Sequence, residues 1–255
     1  MGAPNRSTVK SARTTFRILE TLQELDGAGV TETADHLGMS KSNVYKYFKT
    51  LEEDRYIVKD KNKEYQLSLR FLGLGAETRR RYGIYEIAKP QIKELAEESN
   101  EMANLLVEEH GRGIFLYRAD SSHAVNLDTR AGRDVYLHTT ALGKAILADL
   151  PEERVDEIID RYGLPRVTPK TVTNRRALEK ELDEIRERGW AYDDEERLKG
   201  LRCVAGSILD PNGEVLGAIS ISGPSSRMNG TRFSEEIPEA ILKAKNVIEL
   251  NVAYE

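Results

Sequence analysis

Two groups of residues in this sequence carry chemistry. The first is basic: Ser40, Lys41, Ser42, Asn43, Tyr45, Lys46 and Lys49, then Lys59, Lys61 and Lys63. Ammonium, hydroxyl and amide groups of this kind meet phosphates and base edges. Lysine cannot fork bidentately as arginine does, so Lys46 and Lys49 suit phosphate contacts as well as bases. Ser42 and Asn43 suit either, and Lys59, Lys61 and Lys63 suit the neighbouring backbone. The second group is Asp193, Cys203, Ser220 and Ser222, set within apolar runs. Ser220 and Ser222 are two apart and project to one side of a strand. A few polar groups in an apolar cavity is the usual arrangement for a small ligand. A satisfied core fits these residues too, because Cys is often buried and strand Ser often bonds its own backbone.

Catalysis is not expected. Cys203 is the single cysteine, so one chain has no disulfide, no two-thiolate metal site and no resolving partner for thiol redox chemistry. His36, His110, His123 and His138 show no HxxxH or HxH spacing, and neither GxSxG nor HExxH occurs. No metal or cofactor is expected.

These groups fall in parts of opposite charge. Net charge is −5 over 255 residues. Residues 1–83 hold 15 Lys and Arg against 11 Asp and Glu, or +4, which leaves −9 for the remainder. A basic head on an acidic body fits a protein that meets an anionic polymer with its head alone. No run approaches the roughly 18 apolar residues of a membrane span. The leading MGAPNRSTVKSARTTF has no apolar core of signal-peptide type. A soluble, cytoplasmic protein is expected.

The head must position the lysines. The first ten residues read as an arm. Val9, Ala12, Phe16, Leu19 and Leu22 read as the inward stripe of a first helix. Thr31 is read as the N-cap of a short second helix with Ala34 and Leu37 inward. Ser40 is read as capping a third, with Val44, Phe48 and Leu51 on one face. At 100° per residue, Ser42, Tyr45, Lys46 and Lys49 then fall on the opposite face. Tyr56-Ile57-Val58 and Tyr65-Gln66-Leu67 read as strands of a hairpin tipped by residues 59–63. Three helices and a basic hairpin are the order of a winged helix-turn-helix. The domains are read as a DNA-binding head at 1–68, a linker helix at 69–83 and a body at 84–255.

The body reads as α+β with an antiparallel sheet. Helices are expected at 84–99, 140–150, 151–162, 174–188 and from about 235. Strands are expected at 104–109, 113–117, 125–129, 190–193, 203–209 and 215–221. Asp210-Pro211-Asn212-Gly213 is a hairpin turn.

Three blocks carry a resemblance. GVTETADHLGMSKSNVYKYFKTLEEDRYIVKDKNKEYQLSLRFLGLG is similar to the N-terminal domain of IclR-family transcriptional regulators. LHTTALGKAILADLP and RGWAYDDEERLKGLRCVAGSILDPNGEVLGAISISGP resemble that family's C-terminal segments in the right order. The resemblance covers nearly the whole chain. It implies a GAF-like effector-binding body and a homodimer through head and linker helix, often a dimer of dimers. It implies double-stranded operator DNA as one partner. It also implies an effector pocket using Asp193, Cys203, Ser220 and Ser222 with the backbone N–H groups of Ala141 and Leu142. Many members have Gly where this chain has Ala141, which narrows the pocket slightly. N–H groups at a helix start favour a small organic acid. The alternatives are a DNA-free sensor or interaction module and, further off, a thiol enzyme.

Overall fold

The computed structural model describes residues 8–121 and 129–254. The chain divides into two compact units between Thr78 and Arg79. The expected strand at 125–129 lies outside the described residues except for Thr129, as does most of the N-terminal arm.

The first unit holds α1 (Lys10–Glu24), α2 (Val30–Leu37), α3 (Lys41–Glu53), β1 (Ile57–Lys59) and β2 (Tyr65–Leu67). Helix α4 (Arg70–Arg80) follows and crosses the division between the units. Ile18, Leu22, Ala34, Val44, Phe48, Leu51, Ile57 and Tyr65 form its core. Tyr65 packs edge-on against Phe48 at 4.5 Å between ring centres.

Three local expectations need correction. The stripe on α1 does not face inward along its length. Ile18, Thr21 and Leu22 are buried, whereas Val9 and Phe16 are 67% and 63% exposed. The 3, 4, 3, 3 spacing rotates the stripe by roughly 140° from Val9 to Leu22, so its ends lie on different faces. The N-cap of α2 is Gly29 rather than Thr31, because the chain enters the helix two residues earlier from extended backbone. Ser40 occupies the N-cap position of α3, but its hydroxyl makes no cap bond; it lies 3.3 Å from the Ser42 Oγ instead.

Among the described residues, the second unit is built on a six-stranded antiparallel sheet of order β5-β4-β3-β8-β7-β6. The strands are β3 (Met102–Glu109), β4 (Arg112–Asp120), β5 (Asp134–Val135), β6 (Ala191–Asp194), β7 (Leu201–Leu209) and β8 (Val215–Pro224). This α+β arrangement is compatible with the expected GAF-like body. Strand β5 and a single helical turn at Leu137–Thr139 had no periodicity to announce them. His110 and Gly111, both at positive φ, turn β3 into β4.

Each face of the sheet is covered. Helices α5 (Ile84–Ser99) and α9 (Ile237–Ala253) pack on one side against Leu105, Val204, Ile219 and Ile221. On the other side lie α6 (Ala141–Asp149), α7 (Glu152–Tyr162) and α8 (Arg175–Arg188), against Leu106, Phe115, Ala205 and Ala218. Leu178, Leu182 and Ile185 of α8 are all buried, and Gly189 closes that helix in the left-handed conformation. Gly143 lets α6 approach closely, since a Cβ there would collide with the Leu137 carbonyl oxygen.

Candidate functional site

In the first unit, α3 buries Val44, Phe48 and Leu51 and turns its other face to water. Ser40, Lys41, Ser42, Asn43, Lys46 and Lys49 are exposed, and Tyr45 is 51% exposed. Ser42, Tyr45, Lys46 and Lys49 share one face by helical angle, with Lys41 and Asn43 to either side. Lys49 lies 3.9 Å from Glu53, an exposed pair worth little in water. Strands β1 and β2 pair in register Ile57↔Leu67, Val58↔Gln66 and Lys59↔Tyr65. The tip between them is set by Asp60, whose Oδ1 accepts from the N–H groups of Asn62 and Glu64 at 2.8 and 2.9 Å. Lys63 takes a left-handed conformation there, and Lys59, Lys61 and Lys63 are exposed. This unit therefore presents a basic, polar helix face and a basic hairpin.

In the second unit, sheet register aligns the other group. Asp193 pairs with Cys203 and Cys203 with Ser222, so the three stand in one row across β6, β7 and β8. The next row runs Ala191, Ala205, Ser220 and Asn104. Partners directly opposite in antiparallel strands share a face, and here it is the face that α6 covers. Asp193, Cys203, Ser220 and Ser222 are all buried.

Ala141 and Leu142 open α6. Thr140 caps that helix, its Oγ1 accepting from the Gly143 N–H at 2.9 Å, and the Lys144 N–H bonds the Thr140 carbonyl at 2.9 Å. The N–H groups of Ala141 and Leu142 thus precede the first intrahelical bond, where donors carry the positive end of the helix dipole.

Asp193 is held by the turn that follows it. Glu195 adopts positive φ, which brings the Glu196 N–H to 2.7 Å from Asp193 Oδ1. Thr168 and Thr171 fasten that turn by donating to the carbonyls of Glu195 and Glu196. Burial, reinforced by the Glu196 charge, pushes the Asp193 carboxyl up to about 7. Burial and the neighbouring Asp193 push the Cys203 thiol well above its ordinary value. A thiol so placed stays protonated near neutrality, a poor nucleophile and a weak hydrogen-bonding group.

Two buried polar residues in this region are not singled out by the sequence reading. Lys144, with no exposure, lies 2.5 Å from Glu181 Oε1 and 2.6 Å from Glu196 Oε1. Burial lowers its basicity, but the two carboxylates outweigh that and hold it charged. Asn104 donates from Nδ2 to Ser220 Oγ at 3.3 Å and to Ser222 Oγ at 3.5 Å. A signal for each exists in the sequence: a lone polar residue in an apolar run, MANLLV for Asn104 and ALGKAIL for Lys144.

Comparison with known proteins follows the same two units. Residues 11–61 match the IclR helix-turn-helix domain, and residues 76–249 match the family described as bacterial transcriptional regulator IclR C-terminal. The chain is 32% identical over 231 residues to the HTH-type transcriptional regulator KdgR of Escherichia coli (strain K12), covering 90% of this chain and 88% of that one. The crystal structure of the Thermotoga maritima IclR matches with a TM-score of 0.80 and 31% identity, over 96% of this chain and 99% of the other. An IclR homolog from Microbacterium hydrocarbonoxydans complexed with 4-hydroxybenzoate shares the fold at 21% identity, with a TM-score of 0.78, over 93% of this chain and 98% of that one.

Proposed function

The chain belongs to the IclR family, a DNA-binding transcriptional regulator with a C-terminal ligand-binding domain, and not an enzyme; from that premise we propose how its residues divide the work. A homodimer sets two α3 helices in successive major grooves of a double-stranded operator, half-sites one turn apart. Ser40, Lys41, Ser42, Asn43, Tyr45, Lys46 and Lys49 meet bases and phosphates, and Lys59, Lys61 and Lys63 lie along the flanking backbone. The domain boundaries are 1–68 for the DNA reader, 69–83 for the linker helix and 84–255 for the effector domain. Large apolar side chains open to water support dimerisation through the first unit and linker: Val9 just before α1 and Phe16 on it, with Leu69, Leu72 and Leu74 at α4. Two such dimers pair as a dimer of dimers, in the cytoplasm.

The effector is a small organic acid. Its carboxylate takes the N–H groups of Ala141 and Leu142, a helix start suited to an anion. Asp193, Cys203, Ser220 and Ser222 meet a second polar group such as a hydroxyl. The observation that carries this reading is the alignment of those four side chains on the sheet face beneath α6. The fold neighbour's 4-hydroxybenzoate is an acid of this class. Binding changes the dimer arrangement through the 69–83 segment, with a coupling of about 1–3 kcal/mol.

Fluorescence anisotropy of the full chain with DNA from upstream of its own gene, against a shuffled duplex and across a salt series, tests the reading. Specific binding should exceed shuffled binding by roughly 10³-fold, with log affinity falling about 0.9 per phosphate contact per decade of salt. An effector acid should then shift the affinity roughly 5- to 150-fold. Absence of both sequence preference and salt slope overturns the DNA assignment. Failure of every acid to raise the melting temperature overturns the ligand assignment.

A further inference from the structure

Asn104 lies beside the proposed ligand site and has one unmet requirement. It is 1% exposed, on the face shared with Ser220 and Ser222. Its Nδ2 donates to both hydroxyls. A hydroxyl that accepts through its oxygen keeps its own proton to give elsewhere. The Asn104 amide therefore leaves both serines to act as donors, Ser222 toward the Cys203 sulfur beside it and Ser220 toward whatever lies above the sheet. The other end of the amide, Oδ1, is buried and has no hydrogen-bond partner. A buried carbonyl oxygen without a donor is costly, and each such group calls for an explanation.

We infer that Asn104 sets the hydrogen-bond polarity of the effector site, so that the site selects an acid carrying a hydroxyl or other donor group over the same acid with a carbonyl or hydrogen in that place. The inference rests on the organic-acid reading of this site. The Ser220 proton meets an acceptor oxygen of the ligand, and Oδ1 meets its donor. A site built to pair a hydroxyl discriminates against the analogue that lacks it far more strongly than an apolar site does, because the polar group is left unpaired. An aliphatic residue at 104 would free the serine hydroxyls to rotate and would remove the acceptor.

The experiment titrates the full-length protein with matched acids by calorimetry: lactate, pyruvate and propionate, and 4-hydroxybenzoate against 4-methoxybenzoate. The donor-bearing member of at least one set should bind about tenfold or more tightly than its donor-free counterparts. In Asn104→Leu that ratio should fall to within about threefold, while the acids still bind. Because Asn104→Leu alters a buried position, its melting curve is recorded alongside, and Asn104→Asp serves as a second variant of nearly the same volume. A carboxylate at 104 accepts from both serines and consumes their protons, so anion affinity should drop at least tenfold with the fold retained. Acids that bind the unaltered protein with no donor preference, or a preference unchanged in Asn104→Leu, overturn the inference and leave the organic-acid reading standing. An Asn104→Asp protein that folds and binds anions undiminished also overturns it. If no acid binds the unaltered protein, the organic-acid reading falls and takes this inference with it.

Discussion

Lys144 offers the sharpest test of how the second unit is held together. Among the described residues it is the only buried lysine or arginine, and its Nζ joins Glu181 of α8 to Glu196 of the turn beside Asp193. Glu196 is itself buried, its Oε2 has no partner, and burial already raises its pKa despite the ammonium beside it. Lys144→Met keeps the volume and removes the charge. Glu196 and Asp193 are then left buried without their cation. Breaking a buried pair from one side costs about 3–5 kcal/mol. At roughly 2–4 °C per kcal/mol for a unit of this size, the melting temperature should fall by about 6–20 °C. The loss should depend on pH in a definite direction. A carboxylate whose folded pKa is raised contributes stability at low pH, and that contribution is lost as pH rises through the folded value. Removing Lys144 raises Glu196 and Asp193 further. The penalty should therefore be larger at pH 8 than at pH 5.5 in urea unfolding followed by circular dichroism. The double variant Lys144→Met/Glu196→Met should recover part of the loss, since it removes the orphaned Glu196 charge and leaves only Asp193 and the part-exposed Glu181 without the cation. A single-variant loss below about 1 kcal/mol, or equal losses at both pH values, would refute this reasoning.

Other outcomes follow from the same geometry. With Asp193 raised from 3.8 to about 7, its contribution to stability is present below about pH 4 and is lost as pH rises toward 7. In Asp193→Asn that dependence, up to about 1.4 kcal/mol per pH unit, should be absent from denaturant unfolding measured between pH 5 and 8. The raised Cys203 thiol should react with iodoacetamide at pH 8 at least about a hundredfold more slowly than free cysteine; comparable rates would contradict its burial and its placement beside Asp193. Lys46→Ala/Lys49→Ala should weaken binding to all duplexes and lower the salt slope of anisotropy titrations by about 1.8 if both lysines contact phosphate. A lost preference for one duplex with the slope unchanged would instead make them base readers.

Much of the architecture is legible from periodicity and punctuation. The helix at 84–99 and the one ending at Gly189 coincide with α5 and α8 because a one-sided apolar stripe has a single stable packing. The turn at residues 210–213 joins β7 to β8 because Asp210 bonds its own turn, accepting from the N–H groups of Asn212 and Glu214. What failed did so where local signals compete. Thr31 and Gly29 both suit a helix start, and the chain's path into α2 selects the glycine. Helix α1 holds enough apolar residues for two faces, and only packing against α2 and β2 selects Leu22 together with Ile18, which lies outside the expected stripe.

For the site, the kinds of group present are legible without the fold: a basic helix face and hairpin, and an acid, a thiol and two serines in apolar strands. Strand alternation alone placed Ser220 and Ser222 on one face, because that relation is local to one strand. That Asp193, Cys203 and Ser222 stand in one row follows from the folded sheet, since register between strands far apart in sequence is set by the packing of the whole sheet. The fold alone brought Asn104 against serines more than a hundred residues away and Lys144 between Glu181 and Glu196. A buried polar side chain is defined by the partners that satisfy it, and those partners meet only once the chain has folded.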